Sequence, residues 1–545
     1  MSKEEVEEII LEPDPSRIME GLRDTGYDFN TAMADIVDNS IAADAKVVKV
    51  KIDLKPDNTI TVYVADNGVG MDMDGLKNAM KYGSTKRIDP SSLGKFGLGL
   101  KTASTAFCRC LSVLSKNNTS EYHKVQWDLD EICKINKWQL LQPEITDDEI
   151  DILEDVTGGN SGTLVIWEKV DRLVKEYKHD GTKRRMFDKM IERLKFHFAM
   201  IYQRFLDPNY EGVQHIDLFV NDEKIEPWDP FCSSEPNSKM IANATPTADL
   251  PTGEHATFTI EAWLLPRVEN FSTQEARKKA KISNDMEGFY VYRENRLIHH
   301  GDWLGMFVND PHISLLRVNF SFDHKLDEAF NVDIKKSRIL LNDAIYEYVY
   351  NAFMPAPRRA AEELYRKGQV EKVKEVAVNA HEASNKNISS KAASVEGSKV
   401  SVVNAQTGEV SIQNSQGTFT GTLKIHAPKK ADEYNVIPVD NIENGILWEP
   451  SLVDNNHAVS INQNHPYYSK VYAPNLNNST LIVGMDSLLW ALAEAELSTY
   501  NDEVKEQYED MRIQVSRILK RLVADLPDPD ISDPNVVIEV EDTDE

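Results

Sequence analysis

Apolar and polar positions follow two periods in the N-terminal part of the chain. Val48, Val50, Ile52 and Leu54 alternate with Lys49, Lys51 and Asp53, Pro56-Asp57-Asn58 turns the chain, and Ile60, Val62 and Val64 resume the alternation. This predicts a hairpin whose second strand ends at Asp66. Just before it, Ile36, Val37 and Ile41 recur at helical spacing and face the core, while Asp35 and Asn39 stand at i and i+4 on one ridge. From Met186 to Phe205 the recurrence of Met190, Ile191, Leu194, Phe198 and Ile201 predicts a long helix with a core-facing stripe.

Beyond Asp207 the pattern starts again. Ile216, Leu218 and Val220 alternate into a hairpin turn at Asn221-Asp222 and open a second domain, in which Phe289 to Ile298 reads as a strand and Asn342 to Tyr350 as a helix. After Arg358 an Ala-, Glu- and Lys-rich helix runs into a polar linker, Asn385 to Ser398. The last domain begins near Lys399 with strand-like Val400 to Val403 and Thr418 to Ile425 and closes with helices from Asp486 to Leu526. Met511, Val515, Ile518 and Leu522 form an apolar stripe there that either pairs subunits or caps the domain. The expected class is α/β throughout, with domains at 1–207, 208–357 and 399–526, a helix and linker at 358–398, and an acidic disordered tail at 527–545.

Composition narrows the picture. A length of 545 residues with 41% hydrophobic content suits a soluble protein of about three domains. No membrane span is visible, and the acidic MSKEEVEEII start has no secretory pattern, so a cytoplasmic location is expected. Cys108, Cys110, Cys133 and Cys232 form no CxxC pair, which points to buried free thiols rather than a metal site or disulfides. The net charge of −28 argues against passive wrapping of nucleic acid, although Lys183-Arg184-Arg185 and Arg277-Lys278-Lys279-Ala280-Lys281 could touch phosphates.

Candidate chemistry gathers between Asp35 and Ser104. An amide at Asn39 can help hold Mg²⁺ beside triphosphate oxygens, and a carboxylate one turn earlier, Asp35, can polarise a water. Asp66, at a strand end, can accept a hydrogen bond from an exocyclic amine, and Gly68 and Gly70 before Met71 let the backbone approach a flat base. Asp-Asn-Gly is equally an ordinary turn. Gly94-Lys95-Phe96-Gly97-Leu98-Gly99-Leu100-Lys101-Thr102 is neither a P-loop, because Leu100 separates the last Gly from Lys101, nor a dinucleotide loop, because no apolar strand precedes it. What remains is a flexible turn feeding a helix N-terminus, which suits phosphates.

The order and spacing of these motifs resemble the GHKL superfamily, which includes gyrase B, the ninety-kilodalton heat-shock chaperone, histidine kinases and MutL. Within it the look is closest to MORC, MutL and the chaperone. The resemblance implies a Bergerat-type α/β sandwich, ATP and Mg²⁺ as ligands, Asn39 on the metal, Asp66 on adenine, Gly68, Gly70 and Met71 along the base, Gly94 to Gly99 as the hinge of an ATP lid, and Lys101 among the nucleotide-binding residues. Gly162-Thr163 before Leu164-Val165-Ile166-Trp167 matches a further family motif and would let Thr163 support Asp66. Asp35 stands where the hydrolysing branches usually carry Glu, one methylene longer.

The resemblance also implies a transducer domain with a ribosomal-protein-like fold after the ATP domain. The Phe289 to Ile298 stretch resembles MORC ATPases, and Asn331-Val332-Asp333-Ile334-Lys335-Lys336-Ser337-Arg338 resembles the MutL segment whose lysine reaches the γ-phosphate, here Lys336. Read alone, that segment is equally an exposed basic turn. Asp454-Asn455-Asn456-His457-Ala458 resembles the metal motif of nuclease-type MutL, but the Glu and Arg expected after it are absent. The implied function is an ATP hydrolase that closes a homodimer on nucleotide. The alternative is an ATP-gated scaffold with negligible turnover, and what either acts on is not written in the sequence.

Overall fold

The computed structural model describes residues 14–24, 26–82, 92–93, 99–119, 121–173, 180–249, 255–327, 341–365, 380–415, 417–427, 435–476, 478–499 and 502–526. The Gly94 to Leu98 loop, the 331–338 segment with Lys336 and the acidic tail lie outside those residues. The chain divides into two compact units, Met1–Ala361 and Glu362–Glu545.

The first unit begins with helices α1 (Pro15–Arg23) and α2 (Phe29–Ile41), followed by the expected hairpin of β1 (Val47–Leu54) and β2 (Ile60–Asp66). Asp28 caps α2 by accepting from the Thr31 backbone N–H at 3.1 Å, and an Asp-to-Ala change at such a cap costs ~1 kcal/mol. Ile36, Val37 and Ile41 are buried on α2 as the helical spacing predicts, each stabilising the fold by roughly 1.5–3 kcal/mol. Helices α3 (Met73–Met80) and α4 (Gly99–Phe107), strands β3 (Cys108–Lys116) and β4 (His123–Asp128), helices α5 (Leu129–Ile135) and α6 (Asp147–Thr157), and strand β5 (Gly162–Val170) complete the core of the site. The long predicted helix is α7 (Asp180–Ile201), with a short α8 (Gln203–Leu206) behind it.

The strands assemble as β4-β3-β5-β2-β1-β6-β7, where β6 is Asp217–Val220 and β7 is Glu223–Lys224. Strand β6 was expected to open a second domain, yet it hydrogen-bonds in parallel to β1, Val48 opposite Leu218 and Val50 opposite Val220. The alternation read for β6 is correct; the partner that covers the open edge of β1 lies about 170 residues away in sequence and is set by tertiary pairing. One face of this sheet packs under α1, α2, α4 and α7 around Val62, Val64, Leu111, Val113, Val165 and Trp167. On the other face Leu153 of α6 packs on Ala65, Leu114, Leu164 and Ile166.

A second sheet in the same unit runs β13-β12-β14-β11-β8, from β8 (Lys239–Ala244), β11 (Thr259–Leu264), β12 (Gly288–Arg293), β13 (Arg296–Asp302) and β14 (Leu316–Phe322), beside a small ribbon of β9 (Thr247–Asp249) and β10 (His255–Thr257). The single strand expected from Phe289 to Ile298 is in fact a tight hairpin. Glu294 and Asn295 both take left-handed backbone angles, φ 47° and 66°, as a two-residue turn of this kind requires. The helix expected from Asn342 is capped there, regular over Asp343–Glu347 and widened into a π-helical turn over Tyr348–Phe353.

The second unit is also α/β. Strands β15 (Ser398–Asn404), β16 (Glu409–Asn414) and β17 (Gly417–Thr422) form one sheet, and β18 (Lys424–His426), β19 (Val436–Val439), β20 (Trp448–Val453) and β21 (Asn456–Asn462) form another in the order β18-β20-β21-β19. Helices Ser479–Leu497 and Asp502–Leu522 close it. The expected stripe on the last helix divides: Met511 and Val515 pack on the core, whereas Ile518 and Leu522 are 54% and 71% exposed. His457, in the segment that resembles a nuclease motif, is a core residue whose ring meets Glu494 at 2.6 Å.

Candidate functional site

Strand alternation builds the site. Val62 and Val64 point to the helix-covered face, so Asp66 does too; Leu111 and Val113 put Ser115 there, and Val165 and Trp167 put Thr163 there. The register Ser115↔Thr163 and Thr163↔Asp66 then lines these three residues up across β3, β5 and β2, directly below α2.

Asp66 is buried at the end of this row. Its Oδ2 accepts from Ser40 Oγ of α2 at 2.7 Å and its Oδ1 from the Gly68 N–H at 2.9 Å, and the Thr163 backbone N–H also donates to it. Burial pushes the carboxyl up from its ordinary range, and the Ser40, Gly68 and Thr163 donors pull it back. An ionised carboxylate offers about four acceptor sites, so the geometry fits one more donor such as an exocyclic amine. The Thr163 hydroxyl meets Ser115 Oγ at 2.8 Å, and Ser115 Oγ donates to the Gly162 carbonyl and accepts from the Met71 N–H, both at 2.9 Å. This relay fixes the strand exit at Met71.

The glycines are required by backbone contacts. A Cβ on Gly68 would lie 2.6 Å from the Ala43 carbonyl oxygen, and one on Gly70 only 1.9 Å from that of Lys116. Gly70 also has φ +65°, and a Cβ on Gly162 would meet the Asp66 carbonyl oxygen at 2.2 Å. All three let neighbouring segments close around Asp66.

Asp35 and Asn39 occupy the adjoining part of α2. Tyr27 Oη donates to Asp35 Oδ2 at 3.1 Å, and the Asn39 side-chain amide donates to the Asp35 backbone carbonyl at 2.8 Å. In that bond the amide nitrogen is the donor, and Oδ1 is the atom of the group that could ligate a metal. A Cβ on Gly99, the first residue of α4, would lie 3.5 Å from Asp35 Cβ, so the helix that follows the glycine loop starts beside this carboxylate. The described residues thus bring together Asp35, Asn39, Asp66, Gly68, Gly70, Met71, Gly99 and Thr163. Gly94, Lys95, Phe96, Gly97, Leu98 and Lys336 are outside them.

Lys101, expected among the nucleotide contacts, is anchored on the end of α3. It is 1% exposed, and its Nζ donates to the Ala79 and Lys81 carbonyls at the end of α3, both at 2.9 Å. Burial pulls its pKa from 10.5 down to about 8. Between pH 8 and 10.5 the unfolded chain therefore holds more protons at this position than the native one, and native stability rises with pH across that window. Lys101→Met removes this contribution: its stability relative to wild type should fall as pH is raised from 8 toward 10.5 in paired denaturant titrations, and a pH-independent difference would show that the ammonium titrates normally.

Ser40, Ser115 and Tyr27 were not legible as site residues. Ser115 is identifiable only once β3 is known to pair with β5, since its strand signal is ordinary alternation. Ser40 directly follows Asn39, but its partner Asp66 lies on another element.

Residues 27–163 match the family model described as "Histidine kinase-, DNA gyrase B-, and HSP90-like ATPase". The chain carries a GHKL-type ATPase domain. A stretch of 76 residues is similar to MORC proteins: "Protein MICRORCHIDIA 1" of Arabidopsis thaliana is 37% identical over it, 13% of this chain and 12% of that protein. "Protein MICRORCHIDIA 3" of the same plant is 36% identical over 76 residues, 13% of each chain. The match thus spans about an eighth of the length of these curated relatives. A solved structure described as "Crystal Structure of N terminal domain of a DNA repair protein" aligns with 65% of this chain and 99% of its own at 16% identity, with a TM-score of 0.37.

Proposed function

We propose that this protein is a Mg²⁺-dependent ATP-binding and ATP-hydrolysing conformational switch, with nucleotide driving domain closure or dimerisation. The observation that carries the reading is the buried Asp66 carboxylate, held by Ser40, Gly68 and Thr163 at a strand end and shaped to take an adenine amine. Asn39 would hold Mg²⁺, which neutralises triphosphate charge and orients the terminal phosphate. Asp35, steadied by Tyr27, would act as general base on a water. Gly94 to Gly99 would close over the phosphates at the start of α4. Steady-state phosphate release by the purified chain with Mg²⁺ and ATP tests the reading; release indistinguishable from buffer contradicts it.

A second reading, an ATP-gated scaffold with negligible turnover, is favoured by the short reach of Asp35, whose Oδ2 already receives the Tyr27 hydroxyl. Both readings need a sensor of the terminal phosphate, and Lys336 is the residue proposed for it. A lysine arriving from outside the ATP domain tells ATP from ADP by a charge-assisted contact that disappears with the γ-phosphate, a coupling of about 1–3 kcal/mol. Lys336→Ala should bind ATP nearly normally yet show no shape change with a non-hydrolysable analogue in small-angle scattering, where wild type does. An identical change in both proteins removes this lysine from the mechanism. Partners beyond ATP and a second copy of the chain follow from no feature of the site.

A further inference from the structure

Helix α2 carries Asp35 and Asn39, proposed for the water and for Mg²⁺, and Ser40, which donates to Asp66, so these three contacts depend on where this helix sits. Its apolar contacts, through Met33, Ile36, Val37 and Ile41, are non-directional and tolerate a small rotation about the helix axis. Asp38 is different. It lies about 60° round the helix from Asp35 and about 100° from Asn39 at 3.6 residues per turn. Its carboxylate is 1% exposed, and Oδ1 accepts from Tyr202 Oη and from Arg296 Nε, each at 2.8 Å. Tyr202 Oη also meets the Ala34 carbonyl at 2.7 Å, one turn back on α2.

Arg296 comes from the second sheet. It is the first residue of β13, delivered by the Glu294-Asn295 turn, and is 5% exposed. The same turn is also held by α8. Arg204 of α8 donates to Asn295 Oδ1 at 3.1 Å, to Asn319 Oδ1 at 2.9 Å and to Ser321 Oγ at 3.0 Å, with its guanidinium 3.6 Å from the centre of the Tyr292 ring. The hairpin tip is therefore fixed on the first sheet's helices at two points, one of which ends on α2. The surroundings are buried: burial first, then Arg296 and His300, push the His197 pKa down to about 3. For Arg296 itself burial works against the charge, but Asp38, then Tyr202 and Asp35, outweigh it and hold the guanidinium above its ordinary range.

We propose that Arg296 is a positioning residue for ATP hydrolysis, which through Asp38 fixes the rotation of α2 so that Asp35 and Asn39 meet the nucleotide. The proposal rests on the ATPase reading above. It makes the β12–β13 hairpin the element through which movement of the second sheet reaches the site, and misplacement of this order lowers rate more than affinity, by up to ~100-fold.

Two variants of the full chain test it: Arg296→Lys, which keeps the charge and loses the guanidinium fork, and Asp38→Asn/Arg296→Gln, which leaves no buried charge unpaired. Expected are folded proteins with an ATP affinity within about threefold of wild type, kcat lowered at least about tenfold, a smaller loss for Arg296→Lys, and faster amide exchange in 29–41 with 47–66 unchanged. Folded variants with wild-type kcat overturn the proposal alone. Failure of both to fold, or loss of kcat and affinity in step with thermal stability, assigns the pair to stability and also overturns it. A wild type without turnover overturns it together with the ATPase reading, and is distinguished from the other outcomes by the wild-type rate itself.

Discussion

Asp35→Ala should keep ATP and lose hydrolysis, with phosphate release lowered by about 10² to 10⁴. A general base acts on a proton that moves in the transition state, so its removal lowers kcat and leaves ground-state binding nearly intact. The surroundings of Asp35 suit that role. It sits on a capped helix, its Oδ2 is steadied by Tyr27 at 3.1 Å, and the first turn of α4 begins beside it. Calorimetric affinity and phosphate release, measured on the same preparation, check the prediction. Wild-type turnover by Asp35→Ala would place the base elsewhere.

Asp66→Asn should bind ATP about tenfold to a hundredfold or more less tightly and remain folded, a cost of roughly 1 to 3 kcal/mol for the unmet hydrogen bond. The protein donors explain why folding survives. An asparagine oxygen can still accept from the Gly68 N–H, and the Ser40 hydroxyl can rotate to accept from the new amide. The adenine amine has no such freedom, because it would then face an N–H group. Titration calorimetry alongside thermal melting checks both halves. Wild-type affinity in a folded Asp66→Asn chain would remove adenine from this carboxylate.

Local periodicity made much of the site legible. The alternation of β1 and β2 ended at Asp66 as expected and the helical spacing placed Asp35 and Asn39 on α2, whereas Gly162-Thr163 at the start of β5 was legible only through the family resemblance. These signals are short-range and survive any tertiary context. Pairings between distant elements were not legible. Ser40 meets Asp66 from another element, Ser115 reaches Thr163 only through the β3–β5 register, and Arg296 finds Asp38 across 258 positions. Buried polar pairs of this kind leave no periodic trace, because one polar residue in an apolar stretch looks the same with or without a partner. The β12–β13 turn could have been read: Glu-Asn within an apolar run is compatible with two left-handed residues, although Asn-Gly is the stronger signal. The glycines show the reverse case, where the spacing was plain but the atoms opposite each missing Cβ were backbone carbonyls that only the fold reveals.

The central claim is that the candidate site built around Asp66 holds ATP. Titration calorimetry of Mg²⁺ and ATP into the full wild-type chain tests it most directly. The account predicts saturable binding of one ATP per chain, weakened when Mg²⁺ is withheld. A folded chain that takes up no ATP at millimolar nucleotide would contradict it.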